Sequence, residues 1–243
     1  MDRAEDSPAL TVQDVALLMP TTCAVVFDLD DTLYAERAYA MSGFAAVAEA
    51  FADRFGTPAD VAAQMIRLFD TEHRGQVFDE LCRLSGVTPD PTLIQEMVDA
   101  YRSHVPRIEL HPDADAAIDR LAGRSRLALI SDGPLVMQEA KVVALGVRSR
   151  IELVVLTDQW GRSFWKPHPR AFEHIQNQFG VDGPSCTYIA DNAKKDFIAP
   201  RALGWRTIQI KRPDGIYASH PPAPGGTPDH CVSSLDEIDD LIT

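Results

Sequence analysis

The stretch VVFDLDDTLY, residues 25–34, ends a short apolar run with Asp28, Asp30 and Asp31 beside Thr32. Three carboxylates in so small a space repel one another and bury badly, so the fold is expected to bring a compensating charge to them. Candidates lie downstream: Ser131 in LALISDG, Lys166 in FWKPHPR, and Asp191 with Asp196 in YIADNAKKD. Carboxylates without His or Cys suit a hard cation such as Mg²⁺, which takes oxygen ligands and keeps positions open for a phosphate. Ser131 and a neighbouring backbone N–H are suited to hydrogen-bond phosphate oxygens, and Lys166 supplies a point charge.

These groups work together only if the chain gathers them. TCAVVFDL (22–29) reads as a buried strand, short and rich in β-branched and aromatic residues. From about residue 35 to residue 105 the periodicity turns helical, in MSGFAAVAEAFADRF, DVAAQMIRLFDTEHRGQVFDELCRL and PTLIQEMVDAYRSHV, with turn signals at 56–58 and 86–91. After Pro112 helices and apolar strands alternate: RLALISDG, RIELVVLTD, CTYIAD and WRTIQIK are the strands, and DADAAIDRLAG, LVMQEAKVVALG, PRAFEHIQNQFG and KKDFIAPRALG the helices between them. The pattern predicts an α/β fold: a doubly wound, Rossmann-like parallel sheet from residues 1–34 and 106–243, with an all-helical insert at 35–105. In such sheets ligands bind beyond the carboxyl ends of the strands, where the acids, Ser131 and Lys166 fall.

Residues 1–10 read as a loose leader and 11–19 as a short amphipathic helix before Pro20. The Pro- and Gly-rich run from Arg212 to His230 predicts a loop long enough to be mobile, ahead of a short last element in CVSSLDEIDDLI.

Composition narrows the function. The net charge of −13 over 243 residues argues against a nucleic acid polymer or an anionic membrane as partner. A small phosphorylated metabolite remains compatible, because one metal ion and a few cations reverse the sign within a pocket. Cys23, Cys82, Cys186 and Cys231 are scattered without metal-ligand spacing, which predicts free thiols in a reducing compartment. The acidic start MDRAEDSPAL is unlike a signal peptide and no apolar run is long enough to span a bilayer, so a cytoplasmic protein is expected. Nothing in the pattern specifies an oligomeric state.

DLDDT, the Ser of ISDG, the Lys of WKPHP and the acids of ADNAKKD resemble, in order, the four motifs of the haloacid dehalogenase-like hydrolase superfamily, with the helical insert at the place of that family's cap domain. The likeness runs from about Thr22 to Lys211. It implies that Asp28 is a nucleophile forming an aspartyl phosphate and that Asp30 is the acid and base, its backbone carbonyl on Mg²⁺. Ser131 and the Gly133 backbone would hold phosphoryl oxygens, Lys166 would pair with phosphate and Asp28, and Thr32 would orient the loop. Asp191 would bind the metal directly, with Asp196 as a second ligand or a partner of Lys166. A Mg²⁺-dependent phosphatase of a sugar phosphate or nucleoside monophosphate is the reading so implied. Its rivals are a phosphomutase on a sugar phosphate and a non-catalytic binding protein that keeps the fold. Halide-removing relatives lack an Asp at position 30, which disfavours that chemistry.

Three positions depart from the pattern: Asp132 where Asn is frequent, Ala190 for the usual Gly, and His168 where acids are frequent. Lys194 and Lys195 read as a solvated face, and Trp160, Phe164 and Trp165 as packing. Arg37, Arg67, His73 and Arg74 in the insert read as solvent-facing.

Overall fold

A computed structural model describes residues 23–71 and 74–242. The expected leader, the helix at 11–19 and His73 lie outside the described residues. Six parallel strands form one sheet: β1 (Ala24–Phe27), β2 (Arg126–Ser131), β3 (Leu153–Leu156), β4 (Cys186–Ala190), β5 (Arg206–Ile210) and β6 (His230–Val232). Their order is β3-β2-β1-β4-β5-β6. Ala24 stands opposite both Arg126 and Cys186, so β1 is flanked by β2 and β4 in matched register.

The strands are buried on both faces, as apolar runs without polar alternation require. Val25 and Phe27 pack into one core with Leu127, Leu129, Ile189 and Ile208, while Ala24 and Val26 pack into the other with Ala128, Ile130, Tyr188 and Phe172. Four helices follow the crossover pattern: Pro112–Leu121, Leu135–Ala144, Arg170–Phe179 and Ile198–Ala202. The third stops at Gly180, whose φ of 65° is the left-handed end a helix commonly takes. The last is shorter than KKDFIAPRALG predicts. Its first residues turn instead, because the Asn192 N–H bonds the Asp196 carboxylate at 3.0 Å and the Lys194 N–H bonds Asn192 Oδ1 at 3.1 Å.

Between β1 and β2 the chain is helical: Glu36–Ala50, Ala52–Phe55, Pro58–Phe69, Val77–Leu84 and Pro91–Ser103. Thr57 and Asp90 cap two of these, each followed by Pro at the first helical position. The run 60–84, predicted as one helix, breaks at the polar stretch from Asp70, and a 3₁₀ turn covers Arg74–Gln76. These helices share a core of their own, with Phe44, Val47, Met65, Leu81 and Met97 at its centre. Among the described residues no helix is long and apolar enough to cross a membrane.

The loop expected to be mobile is tied down. Arg212 pairs with Asp113 at 2.7 Å and donates to the Thr32 carbonyl at 2.9 Å. The Ile216 N–H donates to Asp31 at 2.8 Å, and the Ala223 N–H to the Ala193 carbonyl at 3.0 Å. The chain then adds β6, a strand that the pattern of CVSSLDEIDDLI did not announce.

Entry into β4 depends on a close approach at Gly183, where a Cβ would meet the Leu203 carbonyl oxygen at 1.9 Å. Gly183→Ala is expected to cost about 1–3 kcal/mol, as overpacking against backbone does. The check is a urea titration, which should show a lower midpoint at unchanged slope; an unshifted midpoint would mean that this contact can relax freely.

Candidate active site

Each predicted residue lies at the carboxyl rim of the sheet. Asp28 directly follows β1, Ser131 ends β2 and Asp191 directly follows β4. Lys166 stands on the long turn after β3, and Asp196 sits in the turn before the helix Ile198–Ala202. Because β1 is central, strands on either side deliver their ends to Asp28.

Lys166 is the hub. Its Nζ donates to Asp28 Oδ1 at 2.5 Å and to the Tyr188 hydroxyl at 2.9 Å, and pairs with Asp196 Oδ1 at 2.9 Å. All four side chains are buried. One oxygen from each of Asp28, Asp191 and Asp196 lies within 4.8 Å of the others. Three acids therefore face one lysine, an excess of negative charge in a desolvated place. Burial, only partly opposed by Lys166, pushes Asp28 up to about 7. Burial and then the charges of Asp196 and Asp28 push Asp191 up to about 10. Lys166 itself is raised well above its ordinary value, burial being outweighed by Asp196 and Asp28. The donor set is all carboxylate oxygen, which fits a hard divalent cation.

Asp30 stands apart from that trio. Its carboxylate accepts from Lys141 Nζ at 2.6 Å and from the Tyr34 hydroxyl, with Gln138 Nε2 at 3.5 Å. The Ser131 hydroxyl donates to Gln138 Oε1 at 2.9 Å, so Ser131 and Asp30 are joined through one amide. Gly133 has φ 135°, and a Cβ there would meet the same Gln138 amide at 2.4 Å. A pocket of about 230 Å³ is lined by Asp28, Asp30, Gly133, Asp191, Lys195 and Trp165, among others. Ser131, Lys166 and Asp196 are buried and do not line it.

Asp31 is structural. It adopts φ 51°, a conformation that Asp tolerates better than most residues, and its carboxylate receives the N–H groups of Glu36 and Ile216, each at 2.8 Å. The charge of Asp132 is matched: Lys195 Nζ approaches at 2.8 Å, Thr157 donates at 2.8 Å and the Lys166 N–H at 3.1 Å. Burial would raise Asp132, but Lys166 and Lys195 outweigh it and hold the carboxyl below its ordinary value.

Lys195 thus corrects the expectation of a solvated face, which holds for exposed Lys194 alone. Trp165 reaches the pocket wall and anchors its indole N–H on Asp158 at 3.0 Å. Trp160 and Phe164 instead receive the guanidinium of Arg170. Arg37 faces solvent, as expected, and pairs there with Asp70 at 2.7 Å.

Lys141, Gln138 and Glu36 are site residues that motif reading missed. Gln138, Lys141 and Val142 share the buried face of one helix at spacings i, i+3 and i+4, a face that buried Leu145 continues just past its end. Two polar residues in that apolar register were the available signal. Glu36 opens the insert and lines the pocket; burial first, then the charge of Asp30, push it up to about 7.

Residues 23–204 match the family model described as haloacid dehalogenase-like hydrolase. Glyceraldehyde 3-phosphate phosphatase of Methanopyrus kandleri is 26% identical over 90% of this chain and 96% of its own length. Haloacetate dehalogenase H-2 of a Moraxella species is 30% identical over 56% of this chain and 58% of its own. The solved structure of the HAD-hydrolase YfnB of Bacillus subtilis, bound to magnesium, has a TM-score of 0.67 at 18% identity, covering 91% of this chain and 99% of that one.

The raised carboxyls carry a pH signature. Asp28 and Asp191 hold protons to higher pH in the folded chain than in the unfolded one, so their contribution favours folding most below about pH 4. That contribution is lost as pH rises through about 7 for Asp28 and toward about 10 for Asp191. A divalent cation, which needs the ionised ligands, should restore it on the alkaline side. At a hundredfold excess over Kd the gain is about 2.7 kcal/mol, or roughly 5–10 °C in Tm. Thermal melts with cation or chelator should show that shift at pH 8, little of it at pH 5, and its loss in Asp196→Asn. Equal shifts at both pH values would place the cation elsewhere.

Proposed function

The chain belongs to the haloacid dehalogenase-like hydrolases, and from that premise we propose that it is a phosphatase of a small organic phosphomonoester. The observation that carries the reading is the separation of two carboxyls two residues apart. Asp28 is bound to Lys166 within the acid trio, whereas Asp30 is held by Lys141 and Tyr34 outside it. Two acids in different surroundings suit two roles.

In this reading Asp28 attacks phosphorus and becomes an aspartyl phosphate. Asp30 gives a proton to the departing ester oxygen, then takes one from the water that hydrolyses the phosphoenzyme. Lys141 and Tyr34 keep the Asp30 carboxyl in place between those events. Lys166 neutralises Asp28 and the phosphoryl group, while Ser131 and the Gly133 N–H hold the transferring oxygens, Ser131 exchanging its bond to Gln138 for one to phosphate. Asp28, Asp191 and Asp196, with the Asp30 carbonyl, would hold Mg²⁺, which supplies positive charge against the phosphate oxygens. Residues 35–105 serve as the cap, whose closure over the rim excludes bulk water. The activity of the Methanopyrus relative, a glyceraldehyde 3-phosphate phosphatase, supports a small phosphorylated metabolite as substrate. The acid at position 30 favours this chemistry over halide removal.

The test is release of inorganic phosphate from aryl and alkyl phosphates with Mg²⁺ or chelator. Asp28→Asn should lose at least about 10³-fold, and chelation should abolish turnover reversibly. Asp30→Asn should lose about 10²–10⁴-fold on alkyl phosphates and much less on an aryl phosphate, whose leaving group needs no proton. Equal losses on both would remove the acid role from Asp30. Movement of phosphate within a sugar, without release, would identify a mutase instead.

A further inference from the structure

A second cavity, of about 420 Å³, lies between the helical insert and the sheet domain. It shares the residues Pro134 and Met137 with the acidic pocket, so the two cavities adjoin. Its character is the opposite. The insert contributes Phe44, Phe69, Phe78 and Tyr101, an aromatic cluster with ring centroids 5.5–6.3 Å apart. Phe44 and Phe69 are buried. Of the polar side chains that line it, Arg74, Gln76 and Arg102 are exposed and Asp79 is half-buried, and Arg74 lies over the Phe69 ring at 4.2 Å.

Resting on the phosphatase reading above, we propose that this cavity takes the organic part of the ester and that this part is apolar: an aryl-bearing or branched aliphatic group in place of a polyol. A phosphate held at Asp28 that directs its ester group across Pro134 and Met137 brings that group to this cavity. The wall it meets there is aromatic and aliphatic. Away from the half-buried Asp79 and the Tyr101 hydroxyl, a sugar hydroxyl placed against that wall would give up water without a partner, whereas a ring or alkyl group would exchange water for aromatic contact. A cavity of this size and lining is of the kind that small-molecule ligands fill.

The experiment compares kcat/KM for 2-phenylethyl phosphate, methyl phosphate, ribose 5-phosphate and uridine 5′-monophosphate, all alkyl esters, so that leaving-group chemistry is similar. Phenylethyl phosphate is expected to exceed ribose 5-phosphate and uridine monophosphate by at least about tenfold, the scale of one small apolar group in a fitted pocket. Val98→Trp, which places an indole in the cavity, should lower the ratio of phenylethyl to methyl phosphate by about tenfold. A preference for ribose 5-phosphate or the nucleotide, or a ratio unmoved by Val98→Trp in a variant that melts like the native protein, overturns the apolar subsite and leaves the phosphatase standing. Release from none of the four esters overturns the phosphatase reading and the subsite with it.

Discussion

The structure turns on one electrostatic problem: Asp28, Asp191 and Asp196 are buried together with a single lysine among them. Charges out of water are tolerated only when partners are held in place, and the partners here come from separate crossovers. A parallel sheet solves this by geometry, because every strand ends on the same rim. Putting β1 in the middle gives Asp28 neighbours from both directions. Tyr188 adds a hydroxyl from within β4 itself, so even a strand interior is spent on fixing Lys166. The turn that shortens the last core helix follows from the same demand, since Asp196 must both meet Lys166 and receive the Asn192 N–H.

Around that centre lies a second polar layer that relays position. Gln138 receives the Ser131 hydroxyl and reaches toward Asp30, while Lys141 on the same helix face closes on Asp30. Lys195 and Thr157 do the same for Asp132, and Asp31 ties the first loop to the C-terminal segment. The acidic rim is thus a network in which most carboxylates have a named cation or N–H group, consistent with the rule that a half-satisfied buried network destabilises.

Legibility in the sequence followed the range of each interaction. The strands were readable because burial on both faces leaves continuous apolar runs, and Asp28, Ser131, Lys166 and Asp191 were readable because they punctuate strand ends or helix starts. Lys141 and Gln138 were hidden in a helix that reads as ordinary core, since their partners lie 111 and 108 residues away at Asp30. Lys195 was indistinguishable from Lys194 until the turn at Asn192 aimed one inward and the other out. Strand β6 escaped because three residues carry too little pattern, and its pairing with β5 decides it. The helix that ends at Phe69 shows the converse: helical periodicity continued on paper past Asp70, whose carboxylate pairs with Arg37 instead.

The bond from the Ile216 N–H to Asp31 joins positions 185 residues apart, and Arg212 reaches the Thr32 carbonyl over 180. A chain made from its N-terminus therefore carries Asp28 out of the ribosome early and must wait for the segment beyond β5 before the first loop acquires its last tether. Order of synthesis and order of assembly are opposed at this loop. The nascent protein holds Asp28 without its partners through most of translation, a period in which a chaperone has access to this loop that the finished fold denies.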